Sequence, residues 1–195
     1  MSPMESCGVY GVYTASEDAF PYLYWGMLAQ NHRGHQSHGF ATFDGSIEVY
    51  TELGLIPPVT ESGIESHIRL LAGRVGIGSV RYATSSSSDA ASLKRDAMPI
   101  LDSYGKRSIA LSFNGNVVNV RSLLDRLGVN RSFSDTHILC RMMLSEMNST
   151  GSVVEAARSC MKAVDGSFAV TGLTDSGLLF AFKDPVGVKP LCYVC

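Results

Sequence analysis

The sequence near the amino terminus reads Cys7-Gly8-Val9-Tyr10-Gly11-Val12-Tyr13, and its β-branched, aromatic and glycine residues predict a buried β-strand. Two interpretations of Cys7 are open. It is an ordinary core thiol, since free cysteine is among the most buried residue types. Alternatively, removal of Met1 to Ser6 would give Cys7 a free α-amine. That amine, with a pKa of about 7.7–8.0, could accept the proton of a thiol whose pKa is about 8.5, as in N-terminal nucleophiles.

Composition indicates a globular protein with no obvious charged partner. The chain has 195 residues, of which 45% are hydrophobic and 17% charged, which is typical of a folded domain. The net charge of −2, without a run of lysines and arginines, argues against binding to nucleic acid or to a membrane surface. No apolar stretch approaches the 18 residues that a transmembrane helix needs.

The cysteines and the amino terminus favour a reduced, cytoplasmic protein. Five cysteines occur without a secretory signal, because Met1 to Ser6 is too short and too polar for one. If Cys7 is an N-terminal nucleophile, residues 1–6 are a leader and residues 7–195 form one domain.

Hydrophobic periodicity predicts helices that pack on antiparallel sheets in layers. We expect an amphipathic helix within 17–30, a strand at 74–82 and hairpins at 40–50 and 168–182. A strand at 108–113 should end in an Asn114-Gly115 turn that leads into a helix beginning near Asn119. Further helices are predicted at about 64–71, 135–147 and 152–164, and a surface loop at 84–92.

Histidine and cysteine spacings give little support for a metal site. His32, His35 and His38 lie in a glycine-containing loop, and their spacing fits no common zinc pattern. Cys192 and Cys195 form a C-x-x-C pair without a second pair. The histidine loop is better interpreted as a segment that folds back near a functional site.

Three polar positions are candidates for binding or catalysis. Arg81 ends a glycine-containing strand and could form a structural salt bridge or anchor a carboxylate. Asn114 and Gly115 could direct an amide and a backbone N–H at one point, as in an oxyanion hole. Asp135 could cap the helix that follows it.

Six motifs in order and in register resemble the class II glutamine amidotransferases, which are N-terminal-nucleophile hydrolases. Within that class they resemble the glutaminase domains of the amidophosphoribosyltransferases. The motifs are Cys7-Gly8-Val9-Tyr10-Gly11-Val12, Asn31-His32-Arg33-Gly34, Gly76-Ile77-Gly78-Ser79-Val80-Arg81-Tyr82-Ala83-Thr84, Phe113-Asn114-Gly115-Asn116, Ser134-Asp135-Thr136 and Lys183-Asp184-Pro185-Val186-Gly187-Val188-Lys189-Pro190-Leu191.

The resemblance implies an α+β fold with four layers, αββα, in which two antiparallel sheets lie face to face. It also implies site residues. The nucleophile would be Cys7, exposed by autocatalytic removal of residues 1–6, and its α-amine would be the base. The oxyanion hole would comprise the Asn114 side chain and the Gly115 N–H. The substrate-binding residues would be Arg81 for the α-carboxylate, with Thr84 nearby, Asp135 for the α-ammonium, and Arg33 at the border of the site.

The implied function is hydrolysis of free L-glutamine through a cysteine thioester. The ammonia would pass to a synthase or phosphoribosyltransferase domain or subunit, which adds it to phosphoribosyl pyrophosphate in purine synthesis. No cofactor is expected in this domain, nor a nucleic-acid or membrane partner, and an oligomer is expected. Two alternatives remain: a stand-alone subunit that serves another acceptor, or an unprocessed glutamine-binding module without catalysis.

Overall fold

The computed structural model describes residues 7–58, 70–82, 89–129 and 133–194. The first half of the chain forms one antiparallel sheet in the strand order β1-β4-β2-β3. Its strands are β1 (Gly8–Tyr13), β2 (Ser37–Phe43), β3 (Ile47–Leu53) and β4 (Val75–Arg81). Helix α1 (Phe20–Leu28) covers one face, and a 3-10 turn (Asn31–Arg33) leads into β2.

The second half forms another antiparallel sheet in the order β5-β6-β7-β8. Its strands are β5 (Ile100–Tyr104), β6 (Arg107–Val117), β7 (Gly166–Thr174) and β8 (Leu179–Lys183). The helices in this half are α2 (Ala90–Arg95), α3 (Val120–Leu127), α4 (Asp135–Thr150) and α5 (Val153–Ala163).

Three apolar clusters stack these elements into four layers. One joins α1 to the first sheet through Phe20, Leu23 and Phe40. A second lies between the sheets and includes Ile77 and Ala110. The third joins the second sheet to α4 and α5 and includes twenty buried residues. The predicted α+β sandwich of four layers, αββα, is therefore confirmed.

Most predicted elements are present, and three need correction. Asn114 and Gly115 do not form a turn, because β6 continues to Val117 and pairs Asn114 with Ala169 of β7. The predicted loop at 84–92 overlaps α2, which begins at Ala90 after the cap of Asp89. Strand β5 was not anticipated.

Two further observations concern the helices. The predicted helix at about 64–71 lies almost entirely outside the described residues. Among the helices that the structure describes, none has the length and apolar character required to cross a membrane.

Candidate active site

Cys7 lies directly before β1, at one end of the sandwich. Since β1 pairs with β4 in the register Gly8 to Val80, Cys7 lies beside Arg81 at the end of β4. The Cys7 thiol donates to the carbonyl oxygen of Tyr82 at 3.8 Å. Although it belongs to the first sheet, the half-buried Cys7 packs against the core of the second sheet and its helices.

The electrostatic surroundings of this thiol are mixed. Burial raises the pKa of Cys7, while the positive charges of Arg81 and Arg33 oppose that rise. Positive charge near a cysteine favours its thiolate, which is the nucleophilic form.

The loop with Arg33 folds back onto the end of β4. Arg33 Nε donates to the carbonyl oxygen of Cys7 at 3.3 Å. The adjacent Gly34 makes this approach possible, because a β-carbon there would lie 2.6 Å from the backbone nitrogen of Arg81. The loop thus lies against Cys7, and the interpretation that it borders a functional site stays a prediction.

Arg81 is held at the edge of the site by two acceptors. Its Nη1 donates to Gln36 Oε1 at 3.2 Å, and its Nη2 lies 4.0 Å from Asp96 Oδ2. Neither contact is a short bidentate salt bridge, so these described residues leave part of the five-donor guanidinium for a ligand.

Asp135 is the first residue of α4 and not its cap, which is Ser134. The suggestion that Asp135 caps this helix was therefore wrong. Its carboxylate accepts the backbone N–H of Val117 at 2.9 Å. Burial raises the pKa of Asp135, and the hydrogen bond from Val117 and the charge of Arg81 lower it. Asp135 and Cys7 are thus both within electrostatic reach of Arg81.

Asn114 and Gly115 lie in β6, and β1 packs against this strand. Asn114 is largely buried, with 9% of the residue exposed. A β-carbon at Gly115 would lie 2.3 Å from the Ser167 carbonyl oxygen, so only glycine fits there.

The structure therefore brings Arg33 and Arg81 into contact or electrostatic range of Cys7, and brings Asp135 into electrostatic range of Arg81. It sets Asn114 and Gly115 on the strand that packs against β1. Thr84 lies outside the described residues. Sequence reasoning missed Gln36 and Asp96. Neither sits in a recognisable motif, and only the alignment of β2 and α2 with the end of β4 reveals them.

The histidine-rich loop does not assemble a metal site. His38 is buried in β2, where its Nδ1 lies 3.0 Å from the Gly54 carbonyl oxygen. Within the described part of the chain, no group of three or more histidine, cysteine or acidic residues could hold a metal ion. Cys192 is exposed, and Cys195 lies outside the described residues.

Comparisons with known proteins identify relatives of this chain. Residues 84–195 match the model of the glutamine amidotransferase domain family. The amidophosphoribosyltransferase of Archaeoglobus fulgidus is 33% identical over 95% of the chain and 40% of its own length. That of Mycobacterium tuberculosis is 33% identical over 97% of the chain and 36% of its own length. The chain thus spans about two fifths of the length of these relatives.

Two solved structures share the fold. The glutamine phosphoribosylpyrophosphate amidotransferase of B. subtilis, complexed with ADP and GMP, aligns with a TM-score of 0.75 and 25% identity. The alignment covers 93% of the present chain and 38% of the B. subtilis chain. A structure described as the allosteric regulatory enzyme of purine biosynthesis aligns with a TM-score of 0.70 and 25% identity. That alignment covers 86% of the present chain and 35% of the solved chain. The chain belongs to the glutamine amidotransferase domain family, in its class II.

Proposed function

We propose that this chain hydrolyses free L-glutamine to glutamate and ammonia through a thioester on Cys7. The observation that carries the proposal is the shared electrostatic neighbourhood of one thiol, two guanidinium groups and one carboxylate. Arg81 acts on both Cys7 and Asp135, and Arg33 contacts Cys7 directly. A nucleophile between groups of opposite charge suits a zwitterionic amino acid.

The reaction begins when the Cys7 thiolate attacks the side-chain amide carbon of glutamine. After removal of residues 1–6, the α-amine of Cys7 accepts the thiol proton and delivers it to the leaving nitrogen. The tetrahedral oxyanion is stabilised by the Asn114 amide and the Gly115 N–H, and its collapse breaks the C–N bond and releases ammonia. Water then attacks the thioester, which yields glutamate and restores the thiol.

Substrate selection follows from the two charged anchors. Arg81 binds the α-carboxylate, Asp135 binds the α-ammonium, and Arg33 borders the site near the reacting carbon. Charge-assisted hydrogen bonds are among the strongest available in proteins. A glutaminyl residue within a peptide lacks both charges, so the site should reject it.

The destination of the ammonia is inferred from the relatives. The similar proteins are named amidophosphoribosyltransferases, and the chain matches about two fifths of their length. We infer that the ammonia passes to a phosphoribosyltransferase domain or subunit, which aminates phosphoribosyl pyrophosphate in cytoplasmic purine synthesis. No cofactor is needed for the half-reaction described here.

The test is ammonia release from L-glutamine by the purified protein and by a Cys7→Ala variant. Cys192→Ala is the matched control, because Cys192 is also a free thiol but is exposed. We expect Cys7→Ala to abolish turnover and Cys192→Ala to preserve it. Equal turnover in all three proteins would contradict the proposal. Binding of glutamine without release of ammonia by the unaltered protein would favour a non-catalytic binding module.

A further inference from the structure

Asp96 lies beside the site, where two arginine side chains and one histidine ring meet. It follows the last residue of α2, and its side chain is 16% exposed. Its Oδ1 lies 3.1 Å from Arg95 Nε and 3.9 Å from His137 Nδ1, while its Oδ2 lies 4.0 Å from Arg81 Nη2. Among these neighbours, only Arg81 belongs to the set assigned to substrate binding.

We propose that Asp96 is a positioning residue, which holds the Arg81 guanidinium in the orientation that receives the α-carboxylate of the substrate. This inference rests on the proposed function. Asp96 itself does not touch the substrate in this account. It acts through Arg81.

Two described residues interact with different nitrogens of the Arg81 guanidinium. Gln36 Oε1 accepts a hydrogen bond from Nη1, and Asp96 Oδ2 lies near Nη2. Gln36 is itself fixed, because its backbone N–H donates to the Arg81 carbonyl oxygen at 3.1 Å and its own carbonyl oxygen accepts the Gly54 N–H at 2.9 Å. A long side chain that is held before the ligand arrives loses less freedom on binding.

Asp96 also connects the two charged anchors of the site. His137 lies on the first turn of α4, two residues after Asp135, and its Nδ1 lies 2.7 Å from Ser134 Oγ. The Phe133 ring stacks on the His137 ring at a centroid distance of 5.7 Å, which fixes the imidazole. The Asp96 carboxylate therefore stands between Arg81 on the first sheet and the helix turn that carries Asp135.

The test compares three substrates that differ in one charged group. L-glutamine carries both charges, glutaramate lacks the ammonium, and 4-aminobutanamide lacks the carboxylate. For Asp96→Asn we expect kcat/KM to fall about fivefold for glutamine and glutaramate, mostly through KM, since a partly exposed ion pair such as that of Asp96 and Arg81 at 4.0 Å has an effect of that size. Turnover of 4-aminobutanamide, which has no carboxylate for Arg81, should stay within about twofold.

Two variants complete the design. Asp96→Glu keeps the charge and should retain most of the preference for carboxylate-bearing substrates. Asp102→Asn is the matched control, because Asp102 is a similarly half-buried carboxylate that pairs with Arg141 at 2.9 Å. It should leave the substrate preference unchanged. Should Asp96→Asn fail to fold, as judged by thermal unfolding, Asp96→Ser removes the same charge.

The proposal is overturned if Asp96→Asn lowers turnover of all three substrates equally or of none. Failure of the proposed function is a separate result, namely no ammonia release by the unaltered protein. In that event, the role of Asp96 is tested by calorimetric measurement of the affinities for glutaramate and 4-aminobutanamide. A weakening confined to glutaramate in Asp96→Asn supports the role of Asp96, and equal effects refute it.

Discussion

The Asp135 carboxylate accepts the Val117 backbone N–H at 2.9 Å, which joins the first turn of α4 to the last residue of β6. Asn114 lies three residues earlier on the same strand. One hydrogen bond therefore fixes the proposed ammonium acceptor relative to the proposed oxyanion donor. Such rigid placement on a strand and a helix suits a site that must bind and react with one substrate.

Removal of either charged anchor should change substrate preference selectively. We expect Arg81→Met to lower kcat/KM at least about tenfold more for glutamine and glutaramate than for 4-aminobutanamide, which senses only the loss of positive charge near Cys7. Asp135→Asn should lower kcat/KM at least about tenfold for glutamine and 4-aminobutanamide but not for glutaramate. Steady-state ammonia release with the three substrates is the measurement. A uniform loss across the substrates would show that these residues serve the structure and not recognition.

Binding should weaken on acidification because of Asp135. Since burial raises the pKa of Asp135 above its ordinary value of 3.8, the carboxylate takes up its proton at a higher pH than an exposed aspartate does. Affinity for an ammonium-bearing ligand is then present above that raised pKa and lost as the pH falls through it. The ligand 4-aminobutanamide is the best probe, because it has no carboxyl group of its own.

Calorimetric titration of this ligand into the Cys7→Ala variant at several pH values measures the effect. The loss of affinity at acidic pH, which we call the acidic limb, should have its midpoint above pH 3.8. It should be absent when Asp135→Asn is added to that variant. A limb that persists without Asp135 would assign the pH dependence to another group.

Asn114 should contribute to the rate and not to binding. Asn114→Ala removes the side-chain amide of a largely buried residue, which is one of the two proposed oxyanion donors. The expected loss in kcat is about 10²–10³, with little change in KM. Asn116→Ala is the matched control on the same strand, because Asn116 is exposed. Equal effects of the two substitutions would argue against an oxyanion hole at Asn114.

The sequence predicted helices packed on antiparallel sheets, because that arrangement depends on local patterns. The order of the four layers and the roles of the site residues came from the resemblance to a known family, and those roles stay predictions. Alternating and helical periodicity identified the β2–β3 and β7–β8 hairpins and the helices α4 and α5. The motif around Arg81 placed a cation at the end of a strand. These features follow from residue type and spacing alone.

The errors arose where tertiary pairing overrides a local signal. Asn114-Gly115 has the composition of a turn, yet nine residue pairs with β7 keep β6 extended through Val117. Asp135 has the residue type of a helix cap, but Ser134 occupies that position and frees the carboxylate for Val117. The contacts of Gln36 and Asp96 with Arg81 depend on chain segments that are distant in sequence, so no pattern could reveal them.

The central claim concerns Cys7, and the most direct measurement is the intact mass of the protein before and after treatment with a thiol-alkylating analogue of glutamine. Cys140 and Cys160 are internal controls, because both are fully buried and burial raises the pKa of Cys160 to about 12. We predict a mass that lacks Met1 to Ser6 and gains one label, located at Cys7 and prevented by excess glutamine. A full-length mass without label, or a label on Cys192, would contradict the assignment of Cys7 as the nucleophile.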